Sequence, residues 1–183
     1  MYDANVLYPA FLRDLLLRLA RAGAVSPRWT DRIHDEWIRG VLARRNDLSL
    51  EKLQRVRQLM EAAVPGALVE GYEHRITAIC LPDPDDRHVL AAAIESGAEI
   101  IVTFNGRDFP HAILSPWRVE ARHPDDFLID RLRQAPTEVL AAFRAHRAAL
   151  TRPAFSRDEY IEKLDHSGLE KTAERLRQLR SDL

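Results

Sequence analysis

The apolar residues in the first third of the chain recur at helical intervals after a very short strand. The opening stretch MYDANVLYPA has room for little strand before Pro9, and the segment FLRDLLLRLARAG that follows has a helical pattern ending at Gly23. A second helix, DRIHDEWIRGVLARR, is expected after the capping residue Thr30, and a third after Ser49. The apolar stripes predicted for these two helices are Ile33, Trp37, Val41 and Leu42 in the first, and Leu50, Leu53, Val56, Leu59 and Met60 in the second.

The middle of the chain alternates between strand and helix patterns. The runs LVEG and RITAICL are interpreted as a second strand and its exit, and a helix is then expected from the N-cap Asp83, with Pro84 at its first position, to Gly97. The run AEIIVTF is apolar without alternation, which is typical of a strand covered on both faces, and WRVEA is a weaker last strand. Strands separated by helices predict an α/β sandwich with a mainly parallel sheet.

From about residue 130 onward the pattern is helical throughout. The helix PDDFLIDRLRQ leads into TEVLAAFRAHRAAL, then SRDEYIEKL with a capping box at Ser156 and Glu159, and a last helix ending RLRQLR. We therefore predict a core domain over residues 1–129 and a helical C-terminal extension over residues 130–183.

Composition describes a folded protein of ordinary domain size. The 183 residues are 46% hydrophobic and 30% charged, with a net charge of −1, which argues against binding nucleic acid by bulk electrostatics alone. No run approaches the roughly 18 apolar residues of a membrane helix, and no secretion signal opens the chain, so a cytoplasmic location without membrane contact is expected. The single cysteine, Cys80, is interpreted as a core residue, as are Phe104 and Trp117 in preference to a role in base stacking.

Four acidic residues stand where a parallel sheet would bring them together. Asp3 ends the first strand, Asp108 follows the strand EIIVTF, and Asp86 begins the helix that enters the same strand. Glu36 lies beside the buried face of the second helix. Ligands of open α/β folds bind outside the carboxyl ends of the strands, so these acids are expected to converge on one edge of the sheet.

Each acid also has an ordinary structural interpretation. Asp3 could close a turn with Asn5, Glu36 could be a solvated helix residue, and Asp108 could be a turn residue after Gly106. In DPDDRHVLAAAI, one or two aspartates suffice to cap a helix and complement its dipole, so Asp86 could be an ordinary first-turn acid. Three aspartates in four positions leave a surplus of repulsion, which a cation would relieve.

The chemistry favoured by clustered carboxylates is metal-assisted hydrolysis of a phosphodiester. Hard divalent cations such as Mg²⁺ and Mn²⁺ bind through oxygen, accept few protein ligands, and polarise phosphoryl oxygens. The seven histidines are scattered without the spacing of a zinc site.

Taken together, these motifs resemble the PIN-domain nucleases, notably the VapC-type toxins of bacterial toxin–antitoxin pairs. The motifs that carry the resemblance, over roughly residues 1–128, are Asp3-Ala4-Asn5-Val6, Glu36 on its helix, Asp86 before Val89-Leu90-Ala91-Ala92, and Thr103-Phe104-Asn105-Gly106-Arg107-Asp108-Phe109. The resemblance implies a three-layer α/β/α sandwich and an endoribonuclease dependent on Mg²⁺ or Mn²⁺. Only Met1 and Tyr2 precede Asp3, fewer apolar residues than the family usually has, which leaves open a start further upstream or a frayed first strand.

The resemblance also implies a role for each residue. Asp3 and Asp86 would bind the metal directly, with Asp108 joining a second metal or acting through water, and Glu36 would position a metal-bound water or assist proton transfer. Asp85 is the alternative to Asp86. The polar positions that hold the carboxylates in orientation would be Asn5, Thr103 and Asn105.

The partners implied by the resemblance are an RNA substrate, an antitoxin that inserts a segment into the active site, and a second copy of the chain in a homodimer. The helical extension could serve dimer contact, antitoxin docking or RNA binding. Arginines near the acids could hold the RNA backbone, and they are Arg87 and Arg107, together with Arg39, Arg44 and Arg45 on the helix of Glu36.

Two alternatives remain open. A catalytically inactive PIN-like module could bind RNA or a protein without cutting. An Asp-x-Asn motif after a strand also occurs in enzymes that form an aspartyl phosphate, but these need a lysine near the phosphoryl group, and Lys52 is the only lysine within residues 1–129, far from any predicted strand end.

Overall fold

A computed structural model describes residues 1–179 of the chain, which divide into two compact units. The first comprises Met1–Ala10 and Pro27–His123, and the second comprises Phe11–Ser26 and the described residues from Pro124 onward. The units do not coincide with the predicted ranges 1–129 and 130–183, because the helices after Pro9 and from Pro124 both belong to the second unit. The division into a core domain over residues 1–129 and a C-terminal extension over residues 130–183 therefore stays a prediction.

Helices dominate both units, and strands are short. The elements follow in the order α1 (Ala4–Leu7), α2 (Ala10–Arg21), α3 (Asp31–Leu42), α4 (Leu50–Ala63), α5 (Glu73–Ile76), α6 (Arg87–Glu95), β1 (Ile100–Val102), α7 (His111–Leu114), β2 (Glu120–Arg122), α8 (Pro124–Gln134), α9 (Pro136–Ala149), α10 (Arg157–Asp165) and α11 (Glu170–Gln178). Short 3₁₀ turns lie at Pro84–Asp86, Gly106–Asp108 and Ser115–Trp117.

A parallel sheet lies at the centre of the first unit. Strands β1 and β2 pair in parallel with Ile101 opposite Ala121, and Tyr2 forms a further parallel bridge to Val102. The Tyr2 backbone N–H donates to the Arg28 carbonyl at 2.9 Å, and the neighbouring Trp29 makes a parallel bridge to Leu68. Backbone hydrogen bonds thus join five neighbouring segments across the unit. Their order is the segment at Leu68, the segment at Trp29, the segment at Tyr2, β1 and β2.

The mixed helix and strand content, the parallel pairing and the C-terminal helices confirm the coarse prediction of the fold. Within residues 1–179 the sheet has only two strands longer than a single bridge, so the three-layer sandwich is not confirmed. The run AEIIVTF contributes just three strand residues. The N-terminal segment contributes a single bridge because Asp3 already caps α1, accepting a hydrogen bond from the Ala4 N–H at 2.6 Å.

Two predictions around Cys80 are wrong. The run RITAICL is not a strand exit, since Gly71 turns the chain at φ 74° and α5 begins at Glu73, an acidic first-turn residue. Cys80 is exposed, whereas Ile79 and Leu81 on either side of it are buried. Outside helices, adjacent side chains point in opposite directions, so only every second residue of ICL reaches the core.

Helix α3, which carries Glu36, begins as predicted. Thr30 accepts a hydrogen bond from the Ile33 N–H at 3.1 Å, and Ile33 and Trp37 are fully buried. The stripe predicted for α4 is too wide, because Leu50 and Leu59 are 51% and 54% exposed. Among the described residues of α4, only Leu53 and Met60 are buried.

In the second unit, a buried carboxylate holds the start of α11. The carboxylate oxygens of Asp125, on α8, accept hydrogen bonds from the backbone N–H groups of Lys171 and Thr172, each at 2.8 Å. Leu169, at the N-cap position of α11, has an apolar side chain that cannot do this, so Asp125 supplies the cap from 46 residues away. The predicted capping box of Ser156 and Glu159 is confirmed at the start of α10. Of the predicted last helix, Arg180 lies outside the described residues.

No helix within the described part of the chain is both long enough and apolar enough to cross a bilayer.

We predict that Asp125→Ala lowers the free energy of unfolding by about 1–3 kcal/mol, because it leaves the buried Thr172 N–H and the part-buried Lys171 N–H without their acceptor. Asp126→Ala is the matched control, since Asp126 also lies in the first turn of α8 but is exposed and pairs with Lys171 at the surface. Such a surface pair contributes about 0–1 kcal/mol. Urea denaturation of both variants measures the difference, and equal losses would contradict the capping role.

Candidate active site

The carboxylate of Asp3 lies at the centre of a hydrogen-bond network in the first unit. Its side chain is buried, and one oxygen accepts hydrogen bonds from Asn5 Nδ2 and from Thr103 Oγ1, both at 2.7 Å. Asn5 Nδ2 also donates to Thr103 Oγ1 at 2.9 Å, and the Phe104 N–H donates to Asn5 Oδ1 at 3.1 Å. The carboxylate is therefore fixed in position by side chains from two segments nearly 100 residues apart in sequence.

Burial raises the pKa of Asp3. The hydrogen bonds from Thr103 and Ala4 oppose this increase but do not cancel it, and the nearby carboxylate of Glu36 adds to it. A cation close to this carboxyl would favour its ionised form and so oppose the effect of burial.

Asp86 carries the clearest sign of a carboxylate cluster. Burial, together with the carboxylates of Asp3, Asp83, Asp108 and Glu36, raises its pKa to about 7. The structure therefore brings the four predicted acids close enough to repel one another, with Asp83 as a fifth.

The three aspartates after Leu81 have different roles. Asp83 caps the 3₁₀ turn Pro84–Asp86, because its carboxylate accepts a hydrogen bond from the Asp85 N–H at 2.8 Å. The side chain of Asp86 makes no capping hydrogen bond to any residue that the structure describes. The side chain of Asp85 is 91% exposed and lies 3.8 Å from an Arg32 nitrogen. Capping thus needs only Asp83, and Asp86 is the acid that faces the cluster.

Glu36 projects from α3 toward the same acids and is flanked by two basic side chains. Its Oε1 lies 3.0 Å from Nε2 of His88, which is buried on α6, and accepts a hydrogen bond from Arg32 Nε at 3.1 Å. Burial raises the pKa of Glu36, but His88 and Arg32 together outweigh burial, so the net shift is downward. The environments of Glu36 and Asp86 thus shift the pKa values of the two carboxyls in opposite directions.

The remaining predicted residues lie nearby with less contact. Asp108 is half-buried in the turn Gly106–Asp108, and Asn105 is exposed, contributing its backbone N–H to Thr103 Oγ1 at 2.9 Å rather than its side chain. Of the predicted RNA contacts, Arg107 is exposed and Arg87 is half-buried.

The aromatic residues near the site differ from each other. Phe104 is half-buried and meets the His123 ring edge-on, with ring centroids 5.1 Å apart. Trp117 is 45% exposed, so its predicted place in the core is wrong. It sits in the 3₁₀ turn Ser115–Trp117, where Leu114 and Val119 on either side provide the buried contacts.

The donor chemistry of the cluster fits a hard divalent cation. Residues 1–179 contain no group of three or more His, Cys, Asp or Glu side chains already arranged around a common metal position. Mg²⁺ usually keeps several waters and takes one or two protein carboxylates, so two acids of the cluster would suffice to hold it. The residues available are Asp3, Asp86 and Asp108.

Sequence reasoning missed two residues of the site, His88 and Arg32. His88 belongs to the run RHVLAAAI, where a histidine among apolar residues is more often a core residue than a functional one. Arg32 precedes Glu36 by four residues, a spacing that predicts an ion pair on a helix and is the one available signal. The contact of His88 with Glu36 joins different helices and has no counterpart in local sequence.

Two family models and one known protein match parts of the chain. Residues 1–107 match the model of the PIN domain, and residues 124–178 match the model of the VapC50 C-terminal domain. A stretch of 47 residues is 57% identical to "Putative ribonuclease VapC50" of Mycobacterium tuberculosis (strain ATCC 25618 / H37Rv). That stretch spans 26% of this chain and 28% of the relative. No solved structure matches the chain.

These matches confirm the resemblance that the acidic motifs indicated. The PIN model covers more than half of the 183 residues and includes Asp3, Glu36 and Asp86. The chain therefore belongs to the PIN domain family, and its C-terminal part resembles that of VapC50.

Proposed function

We propose that the protein is an endoribonuclease dependent on Mg²⁺ or Mn²⁺, and the toxin of a toxin–antitoxin pair. The observation that carries the proposal is the raised pKa of Asp86, caused by burial and by the surrounding carboxylates of Asp3, Asp83, Asp108 and Glu36. Strongly perturbed carboxyls clustered beside the end of a parallel strand are typical of functional sites. The similarity of part of the chain to a protein named as a ribonuclease supports RNA as the substrate.

Asp3, Asp86 and Asp108 would hold the metal. When bound, the cation neutralises the carboxylates and polarises a phosphoryl oxygen of the substrate. Asn5 and Thr103 keep Asp3 in one orientation, so that this ligand needs little reorganisation when the substrate arrives.

Glu36 would act on the attacking water. Its lowered pKa keeps it ionised near neutral pH, and an ionised carboxylate can accept a hydrogen bond from water and then take its proton. His88 and Arg32 hold its Oε1 in place, which leaves the other oxygen available to water.

The wider biological context is also part of the proposal. An antitoxin would block the acidic site, a second copy of the chain could form a homodimer, and the protein would act in the cytoplasm, where its RNA substrate is found. We further propose that the short parallel sheet is the central layer of the three-layer sandwich implied by the family.

The non-catalytic alternative is a PIN module that only binds RNA or a protein. It is less well supported because such a module gains nothing from a carboxylate cluster that raises the pKa of Asp86 to about 7. The aspartyl-phosphate alternative is also weak, since Lys52 is exposed on α4.

We predict that Asp3→Asn and Asp86→Asn each reduce Mn²⁺-stimulated cleavage of RNA by about 100-fold or more, a loss typical of removing a group that stabilises charge in the transition state. Asp85→Asn is the matched control, because Asp85 adjoins Asp86 but its side chain is 91% exposed. Circular dichroism and thermal melts check that the variants are folded.

Cleavage of a labelled RNA, read on a gel, separates the candidate functions. An uncut RNA that wild type nevertheless binds would favour the non-catalytic module. A folded Asp86→Asn variant that cuts as fast as Asp85→Asn would rule out the proposed metal ligands.

We also predict that Asp86→Asn stabilises the protein at about pH 8 without divalent metal. The folded-state pKa of Asp86 is raised to about 7 from 3.8, so this group destabilises the fold increasingly as the pH rises from about 4 through about 7, where it ionises. Because the side chain is about half exposed, we expect only about 1–2 kcal/mol.

Urea denaturation with and without Mn²⁺ measures this effect. Wild type should gain stability on adding Mn²⁺ at this pH, whereas Asp86→Asn should gain little, because it has lost both the repulsion and a ligand. Lower stability of Asp86→Asn than of wild type in metal-free buffer would contradict the prediction.

A further inference from the structure

A cavity of about 320 Å³ adjoins the acidic site within the first unit. Its lining residues are Ala4, Asn5, Tyr8, Glu36, Trp37, Gly40 and Arg44. Asn5 and Glu36 belong to the network described above, so the cavity is continuous with the acids. Its volume is at the lower end of the roughly 300–1,000 Å³ typical of small-ligand sites, which suits a single nucleotide unit.

One wall of the cavity is the ring of Tyr8, which lies against the backbone of α3 at Gly40. A Cβ atom at position 40 would lie 3.3 Å from Tyr8 Cδ2, closer than most Cβ contacts, and 3.5 Å from Cε2, which is ordinary contact. Glycine inside a helix costs about 1 kcal/mol relative to alanine. Gly40 thus gives up helix stability at a position where a side chain would press on the Tyr8 ring.

Arg44 supplies positive charge at the rim. Its guanidinium carbon lies 5.9 Å from the centroid of the Tyr8 ring, and the residue is exposed. The neighbouring Arg45 differs, because its guanidinium donates to both carboxylate oxygens of Asp47, at 2.7 and 2.6 Å. An aromatic face beside an arginine is the combination with which proteins stack a base and bind its phosphate.

We propose that this cavity is a nucleotide subsite, in which an RNA base stacks on Tyr8 and Arg44 binds a phosphate next to the scissile one. The inference rests on the proposed function, since it is the acidic site that would define the scissile phosphate. A single-stranded RNA suits this subsite, because its unstacked bases can be splayed out onto an aromatic ring without breaking base pairs.

The test measures binding apart from cleavage. A fluorescein-labelled single-stranded oligoribonucleotide of mixed sequence is titrated with each variant by anisotropy, in Ca²⁺ to provide an oxygen-binding cation, and gels confirm that the RNA stays intact. Tyr8→Ala should weaken binding about tenfold or more, the loss expected for one base stack, whereas Tyr8→Phe should stay within about twofold of wild type.

Gly40→Ala keeps the test valid if Tyr8→Ala fails to fold. Alanine favours the helix, and its Cβ would push the Tyr8 ring by a few tenths of an ångström, so this variant should stay folded yet bind RNA more weakly.

The salt dependence of RNA binding by Arg44→Ala tests the proposed phosphate contact. The slope of log affinity against log salt should become shallower by about 0.7, the value for one phosphate contact on a single strand. Arg45→Ala is the matched control and should leave the slope unchanged, since Arg45 is engaged with Asp47.

The outcomes separate this inference from the proposed function. If wild type binds RNA in a Tyr8-dependent manner but never cuts it, the subsite stands and the nuclease fails. If wild type cuts RNA while Tyr8→Ala, Gly40→Ala and Arg44→Ala leave affinity and salt slope unchanged, the subsite is wrong and the cavity has another occupant, such as a peptide of a protein partner. In the cleavage reaction, Tyr8→Ala should raise KM more than it lowers kcat and should alter the base found beside the cut.

Discussion

The buried carboxylate of Asp3 is the group on which the rest of the first unit depends. It caps α1 through the Ala4 N–H, and it accepts hydrogen bonds from Asn5 and from Thr103 directly after β1. One side chain thereby joins the N-terminal segment to the end of the central strand. Because an ionised carboxylate is costly to bury without such donors, fold and site are constrained by the same atoms.

The site concentrates charge that the fold alone would not favour. Burial and four neighbouring acids raise the pKa of Asp86, while the basic side chains of His88, on α6, and Arg32, on α3, lower that of Glu36. The two carboxyls therefore have different protonation tendencies although they lie in one cluster. Under the proposed function Asp86 would bind the cation and Glu36 would accept a proton, a division of roles that this difference favours.

Whether a feature of the fold or the site could be predicted depends on how far apart in sequence the interacting residues lie. Local signals worked, and the caps at Thr30, Ser49, Asp83 and Ser156 were predicted because an N-cap acts within three residues of itself. The acids were found because strand and helix ends identify the rim of a parallel sheet. Burial on α4 was overestimated, since an apolar stripe cannot show how wide a partner surface covers it.

Long-range contacts had no signal in the sequence. The approach of His88 to Glu36 and the capping of α11 by Asp125 each join segments about 50 residues apart, and no local pattern encodes either. The shortness of β1 escaped prediction for a related reason. Strand length depends on the hydrogen bonds of neighbouring segments, and here several of these segments contribute only a single bridge.

The discontinuity of the second unit has a consequence for how the protein is made. The first unit ends at His123, so all of its residues have been synthesised before those from Pro124 onward. Phe11–Ser26, in contrast, emerges from the ribosome early but belongs to a unit whose other residues come last. Its leucines Leu12, Leu15 and Leu19 are buried in the finished protein, so until the C-terminal helices have been made this helix lacks the rest of its unit and is exposed to aggregation.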